Sequence, residues 1–218
     1  MRKPYRYEVA SIQGLLQILT NHLSNGYWFH VNGLVPEGKD PYELDEKLIE
    51  KYGVVVSTWR RSQRKRERLY NLHYVRFERR WFLLATHGMA GERKADFYQA
   101  ERRNLKDARR TPIRVEGYAV SYQEGPDGKH HVHIRIDKPD YKALKAHFLE
   151  LATRRRADTL VDAFWRIPFE PYAPVRRQLF NIWRAVNRAR KEAGYEKLPI
   201  ECVPMKRKIV KPFGCRSC

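Results

Sequence analysis

The clearest alternation of apolar and polar positions lies at 113–156, where two strands and a helix are predicted in succession. In the second of these strands, Val132, Ile134 and Ile136 alternate with polar residues. A period of two is typical of a strand that buries one face. The apolar positions then change to helical spacing over 138–153, which predicts an amphipathic helix. This stretch is the best candidate for a chemical centre.

The same patterns predict the other elements of the chain. Besides the two strands within 113–137 and the helix at 138–153, helices are predicted at 11–23, 40–53, 57–68, near 96–110, after 154–156 and at 174–193, and strands at 27–32, 72–85 and 209–210. The helix at 40–53 has the clearest boundaries, with Asp40 as N-cap, Pro41 in the first position and Gly53 at the end. This order predicts an α+β fold, in which helices flank a small, mainly antiparallel sheet. We expect an α+β domain at 1–153 with a helical, basic region at 154–218 packed on it.

Positive charge is the strongest feature of the composition. The 44 Lys and Arg residues face 25 Asp and Glu residues, which gives a net charge of +19. The positive electrostatic field of such a chain favours the binding of polyanions, because each contact with a nucleic-acid phosphate releases condensed counterions. Solubility alone requires less imbalance, and binding to an anionic membrane surface usually uses an isolated basic helix. The charge therefore predicts nucleic acid as the partner and no membrane.

Four basic segments, at 60–68, 154–156, 176–191 and 206–211, supply the predicted phosphate contacts. In the helix at 57–68, Trp59 and Leu69 are the only large apolar anchors, so the cations are expected to be exposed. The candidate nucleic-acid-binding residues are Arg60, Arg61, Arg64, Lys65, Arg66, Arg68, Arg154, Arg155, Arg156, Arg176, Arg177, Arg184, Arg188, Lys206, Arg207 and Lys208. Tyr70, Tyr74 and Trp183 lie among cations and are predicted to stack on unpaired bases.

The kind of nucleic acid follows from the absence of a known reading motif. The sequence has no helix-turn-helix or zinc-finger pattern, so structured RNA or single-stranded DNA is favoured over a specific duplex site. We interpret the chain as a binding protein without a cofactor. It would suit a complex with other proteins, either a ribonucleoprotein or a mobile-element complex.

A histidine pair supports an alternative, enzymatic function. His131 and His133 share the polar face of the central strand, and two histidines so placed suit joint ligation of a divalent metal. The pair resembles the histidine–hydrophobic–histidine motif of HUH endonucleases. That resemblance implies a metal that polarises the scissile phosphate and a tyrosine that becomes joined to DNA. Tyr141, with Lys145 four residues later, and Tyr172 are the candidate nucleophiles.

Two further chemistries stay open. Histidines on predicted strands, including His30 and His73, would suit acid–base cleavage of RNA without a metal. Cys202, Cys215 and Cys218 together with a histidine would make a zinc site. Whether the chain is an enzyme is therefore left open by its sequence.

The compartment follows from what the sequence lacks. Three cysteines argue against a disulfide framework and suit a reducing compartment. No stretch is long and apolar enough to span a membrane, and the first residues lack the apolar core of a signal peptide. A cytoplasmic location is predicted.

Overall fold

The computed structural model describes residues 5–92, 95–125 and 127–213. Within them the strands are β1 (Glu8–Val9), β2 (Phe29–Leu34), β3 (Leu72–Phe77), β4 (Arg80–Ala85), β5 (Lys106–Asp107), β6 (Ile113–Val115), β7 (Tyr118–Glu124) and β8 (His130–Ile136). The helices are α1 (Ile12–Ser24), α2 (Pro41–Tyr52), α3 (Thr58–Arg66), α4 (Phe97–Ala100), α5 (Lys138–Leu151), α6 (Ala157–Trp165) and α7 (Ala173–Glu192). A 3₁₀ helix follows at Ile200–Cys202. This mixture confirms the predicted α+β class.

The chain divides into two compact units. The described residues of the first unit fall within Met1–Pro112, Ser121–Val132 and Ile209–Cys218. Those of the second fall within Ile113–Val120 and His133–Lys208. A three-stranded sheet has the strand order β6-β7-β8, and β6 pairs with β7 in antiparallel orientation.

The first unit contains a five-stranded sheet in the order β1-β3-β4-β2-β5. β1 runs parallel to β3, and the other neighbours are antiparallel. The long strand predicted at 72–85 is in fact the hairpin of β3 and β4. Phe77 pairs with Arg80, so the chain turns at the two residues between them. The prediction was wrong here because Glu78 adopts a positive φ of 52° in a position that favours Gly or Asn.

β3 is buried on both faces. On one face, Tyr74 donates a hydrogen bond to Asp45 of α2 at 2.5 Å, and Arg76 is paired with the same carboxylate at 2.8 Å. On the other face, His73 stacks on His22 of α1. Both faces of β3 are therefore covered by the fold. Tyr70 and Tyr74 are wholly buried and are not available to stack on bases.

Local capping signals predicted several helix boundaries correctly. The Ser11 hydroxyl accepts from the Gly14 N–H at 3.2 Å, and Asp40 accepts from the Tyr42 N–H at 2.9 Å. Gly53 ends α2 with φ +54°. Two other predictions were wrong. The basic helix near 96–110 is reduced to the single turn of α4 followed by β5, and the described residues at 209–210 form no strand.

The second unit has a helical core. Phe148 of α5 packs against Phe164 of α6, with ring centroids 4.4 Å apart. α7 buries one apolar face at helical spacing, as the sequence predicts, with Val175, Leu179, Ile182 and Val186. The Gln178 side chain accepts from the Ile136 N–H at 2.8 Å and donates to the Ile136 carbonyl at 3.0 Å. This bond pair joins α7 to the end of β8.

Candidate nucleic-acid interfaces

A cleft of about 660 Å³ lies in the first unit, between the C-terminal end of α1 and α3. We call it the α1/α3 cleft. Its cations are Arg61 and Lys65 of α3 and Arg68 just beyond that helix, and His87 lines it from the segment after β4. None of its lining residues within the described chain is acidic. Three predicted phosphate ligands thus share one concave surface.

The geometry of α3 explains this clustering. Ser57 caps the helix by accepting from the Arg60 N–H at 3.1 Å. Thr58, Arg61, Ser62 and Lys65 follow at spacings of three and four, which places them on one helical face. Thr58 lies in the first turn, so the positive end of the helix dipole contributes to the same cleft.

Arg64 lies on a different face of α3, and the structure corrects its expected exposure. The side chain is buried, and its Nε and Nη2 donate to the Tyr70 carbonyl at 3.1 and 2.9 Å. Nη2 also donates to the Ala90 carbonyl at 3.1 Å. Polar contacts therefore fix a helix that has few apolar anchors, and Arg64 is used by the fold.

The wall of the cleft contains a neutral histidine. His22 stacks on His73 with ring centroids 3.8 Å apart and an interplanar angle of 18°. His22 Nδ1 lies 2.9 Å from the Ile18 carbonyl, which can only accept, so this nitrogen carries the proton. Burial lowers the pKa of His22 to about 4, and the Arg61 charge also lowers it. His22 therefore adds no positive charge to the cleft near pH 7.

Arg61 has an incomplete set of partners. Its carbonyl accepts from Asn71 Nδ2 at 3.0 Å, which ties α3 to the start of β3. Its buried Nε has no hydrogen-bond partner among the described residues. A buried donor in this state is unusual. The Arg61 charge also helps to lower the pKa values of the buried His22 and His73, chiefly set by burial.

Trp28 also lines the α1/α3 cleft, a position that the sequence does not predict. The Arg109 guanidinium lies 4.5 Å from the Trp28 ring centroid, and Tyr122 stacks on the indole at 5.7 Å and 21°. Tyr122 is in turn 5.6 Å from the His130 ring. This row of aromatic rings brings together residues about a hundred positions apart in sequence, from Trp28 to His130. The sequence predicts a strand around Trp28 but none of these ring contacts.

A second basic groove of about 460 Å³ lies in the second unit between α5 and α7. We call it the α5/α7 groove. Arg184 and Arg188, one turn apart on α7, line it together with Lys145 of α5. Ala185 contributes a small side chain to its lining. Glu192 is the acidic residue in the described lining, so this groove is less purely cationic than the α1/α3 cleft.

The remaining predicted cations do not line either site. Arg60 donates to Gln63 at 2.9 Å, and Arg66 is exposed on α3. In the second unit, Arg176 is half-buried and donates to the Pro171 carbonyl at 2.9 Å. The others are exposed, namely Arg154, Arg155, Arg156, Arg177, Lys206, Arg207 and Lys208. Arg154 is paired with Glu150 at 2.8 Å.

The histidine motif lies on β8, as predicted. His131 is exposed, and its Nε2 is 2.9 Å from Asp127, a contact that lowers the pKa of that carboxyl group. His133 is half-buried. Within the described residues, no group of three or more His, Cys, Asp or Glu side chains comes together as a metal site.

The candidate nucleophiles lie at the starts of two different helices of the second unit. Tyr141 is half-buried in the first turn of α5. Tyr172 precedes α7, with the Arg207 guanidinium 4.6 Å from its ring centroid. Burial raises the pKa of Tyr172, although Arg207 opposes the shift. A lowered pKa is what activates such a nucleophile, so this environment does not favour attack.

The structure gives little support to acid–base cleavage of RNA or to a zinc site at the cysteines. His30 is buried, and burial lowers its pKa to about 4, so it is a weak base. His73 is also buried, with a pKa well below the usual range for the same reason. Cys202 is buried and its pKa is raised to about 11, whereas Cys215 and Cys218 lie outside the described residues.

Comparisons with known proteins add no family to these observations. No protein-family model matches the chain, and no curated protein matches it. Among the helices of the described residues, none has the length and apolar character that crossing a membrane requires. Function is therefore inferred from the geometry of the two basic sites.

Proposed function

We propose that the protein binds structured RNA or single-stranded DNA through phosphate contacts in the α1/α3 cleft. The observation that supports this most strongly is that Arg61, Lys65 and Arg68 share one concave surface, whose lining contains no acidic residue among those that the structure describes. Like charges brought together repel one another, and phosphates relieve that repulsion. The first turn of α3 adds a favourable dipole for an anion.

The α5/α7 groove provides a second set of contacts. Arg184, Arg188 and Lys145 line it, and the first two are predicted ligands. The exposed cations at 154–156 and 206–208 add to the positive surface of the same unit. The ligand is a polyanion, and the protein acts in the cytoplasm as part of a ribonucleoprotein or mobile-element complex.

Binding is better supported than DNA nicking. His131 is engaged with Asp127, and the pKa of Tyr172 is raised. The α1/α3 cleft, in contrast, needs no further group to bind phosphate. Incubation with labelled single-stranded DNA and Mn²⁺ tests this preference. A covalent adduct that disappears in Tyr141→Phe or Tyr172→Phe would contradict a function in binding alone.

The binding site itself is tested by paired charge removal. The double variant Lys65→Gln/Arg68→Gln removes two cations from the cleft. Lys39→Gln/Lys47→Gln removes two exposed cations of the same unit that do not line it. We expect the cleft variant to bind fluorescent 20-nucleotide RNA and DNA strands about tenfold or more weakly, measured by fluorescence anisotropy, with the control close to wild type.

Two results would contradict the proposed site. Equal weakening in both double variants would mean that net charge acts without a specific cleft. Unchanged affinity in the cleft variant would mean that the nucleic acid binds elsewhere or not at all. Circular dichroism of each variant checks that the fold is retained.

A further inference from the structure

Trp59 is the most exposed of the aromatic side chains on the described surface. Its exposed fraction is 71%, compared with 57% for Trp165 and 49% for Tyr195. The sequence predicts Trp59 as an apolar anchor of α3, and the structure contradicts that expectation. A large indole in contact with water is costly to keep exposed, and such residues are typical of binding surfaces.

The position of Trp59 on α3 connects it to the cationic site. Ser62, which lines the α1/α3 cleft, follows Trp59 by three residues, and helical neighbours at this spacing lie about 5–6 Å apart. Arg66 follows by seven residues on the same line and is exposed. The indole therefore lies on the face of α3 that borders the cleft, away from the buried Arg64, on a helix that is rich in cations.

We propose that Trp59 stacks on an unpaired base of the strand whose phosphates lie in the α1/α3 cleft. This inference rests on the proposed function and specifies its ligand as single-stranded at this point. An indole offers a π-face to any base, so the contact tolerates sequence variation. Bases inside a duplex are already stacked on one another and do not offer a free face. The surrounding positive charge favours a polyanion over an apolar protein segment as the occupant.

The test compares single-stranded and duplex ligands. Trp59→Ala removes the ring, Trp59→Phe keeps a smaller one, and Trp165→Ala removes an exposed indole from α6 as the control. Affinities for a mixed-sequence 20-nucleotide RNA strand and for the matching duplex are measured by anisotropy at one salt concentration. We expect Trp59→Ala to weaken single-strand binding about tenfold and leave duplex binding unchanged. Trp59→Phe should recover most of the loss, and Trp165→Ala should match wild type.

A second readout is intrinsic fluorescence. Stacking should quench the part of the emission that wild type shows and Trp59→Phe lacks, whereas the remaining tryptophans should change less. Absence of quenching from Trp59 would overturn the proposal even if a variant were unstable. Equal weakening of single-strand and duplex binding in Trp59→Ala would also overturn it.

The failures of the two proposals are distinguishable. Unchanged single-strand binding in Trp59→Ala, together with weakened binding in the cleft variant Lys65→Gln/Arg68→Gln, would contradict stacking and leave phosphate binding intact. Unchanged binding in both variants would contradict the proposed function itself.

Discussion

Arg61 and Arg64 lie three residues apart on α3, yet only Arg61 lines the α1/α3 cleft. The partners of Arg64 are backbone carbonyls of Tyr70 and Ala90, up to 26 positions away in sequence. Helical spacing alone assigns both arginines to a charged surface, because it does not show which carbonyls the fold will bring beneath the helix. A single sequence therefore predicts a cationic helix without separating its structural arginine from its binding residues.

Arg64→Lys should lower the free energy of unfolding by about 1–3 kcal/mol. A lysine ammonium cannot reproduce the three hydrogen bonds of the planar guanidinium, so a buried carbonyl loses its partner. Urea denaturation measures the change, with Arg66→Lys on the exposed surface as the control. Equal stability of the two variants would show that the Arg64 contacts do not hold α3.

Helix ends were predicted better than strand breaks at the level of secondary-structure elements. Ser11, Asp40 and Gly53 act through neighbours within four residues, so their signals are local and readable. The β3–β4 turn has no such signal, because Glu78 adopts a left-handed conformation without a Gly or Asn. The apolar alternation simply continues across the turn, and one long strand is the natural interpretation.

Glu78→Gly should stabilise the protein slightly, by up to about 1 kcal/mol. The positive φ strains a residue that carries a Cβ, and glycine removes this strain at an entropic cost of about 0.5–1 kcal/mol. Glu46→Gly, at an exposed position inside α2, is the matched control and should destabilise by about 1 kcal/mol. Thermal or urea unfolding that shows the same sign for both would contradict the strain.

The fold class of the whole molecule was predicted from the order of helices and strands, but the assembly of its sites was not. The α1/α3 cleft is lined by residues of α1, of α3 and by His87, which lie far apart in the sequence. The sequence also does not predict that His22 and His73 are buried, because their burial depends on the packing of α1 against β3. The composition predicts a negatively charged ligand, but only the structure shows that Arg61, Lys65 and Arg68 line one cleft.

Stability should fall as the pH decreases from about 6.5 towards 4. Burial lowers the pKa of His22 and His30 from 6.5 to about 4 in the folded state. In this window the unfolded chain takes up protons that the folded chain does not, so protonation favours unfolding. Urea denaturation at pH 7.5 and 5.0 measures the effect. His22→Gln should reduce the pH dependence, because the variant lacks one of the two imidazoles whose pKa burial lowers.

The salt dependence of single-strand affinity is the decisive measurement for the α1/α3 cleft. Each phosphate contact contributes roughly −0.7 to the slope of log affinity against log salt concentration for a single strand. Wild type should show a steep negative slope, and Lys65→Gln/Arg68→Gln should be shallower by about 1.4, while Lys39→Gln/Lys47→Gln keeps the wild-type slope. A flat wild-type slope, or identical slopes in all three proteins, would contradict phosphate binding in this cleft.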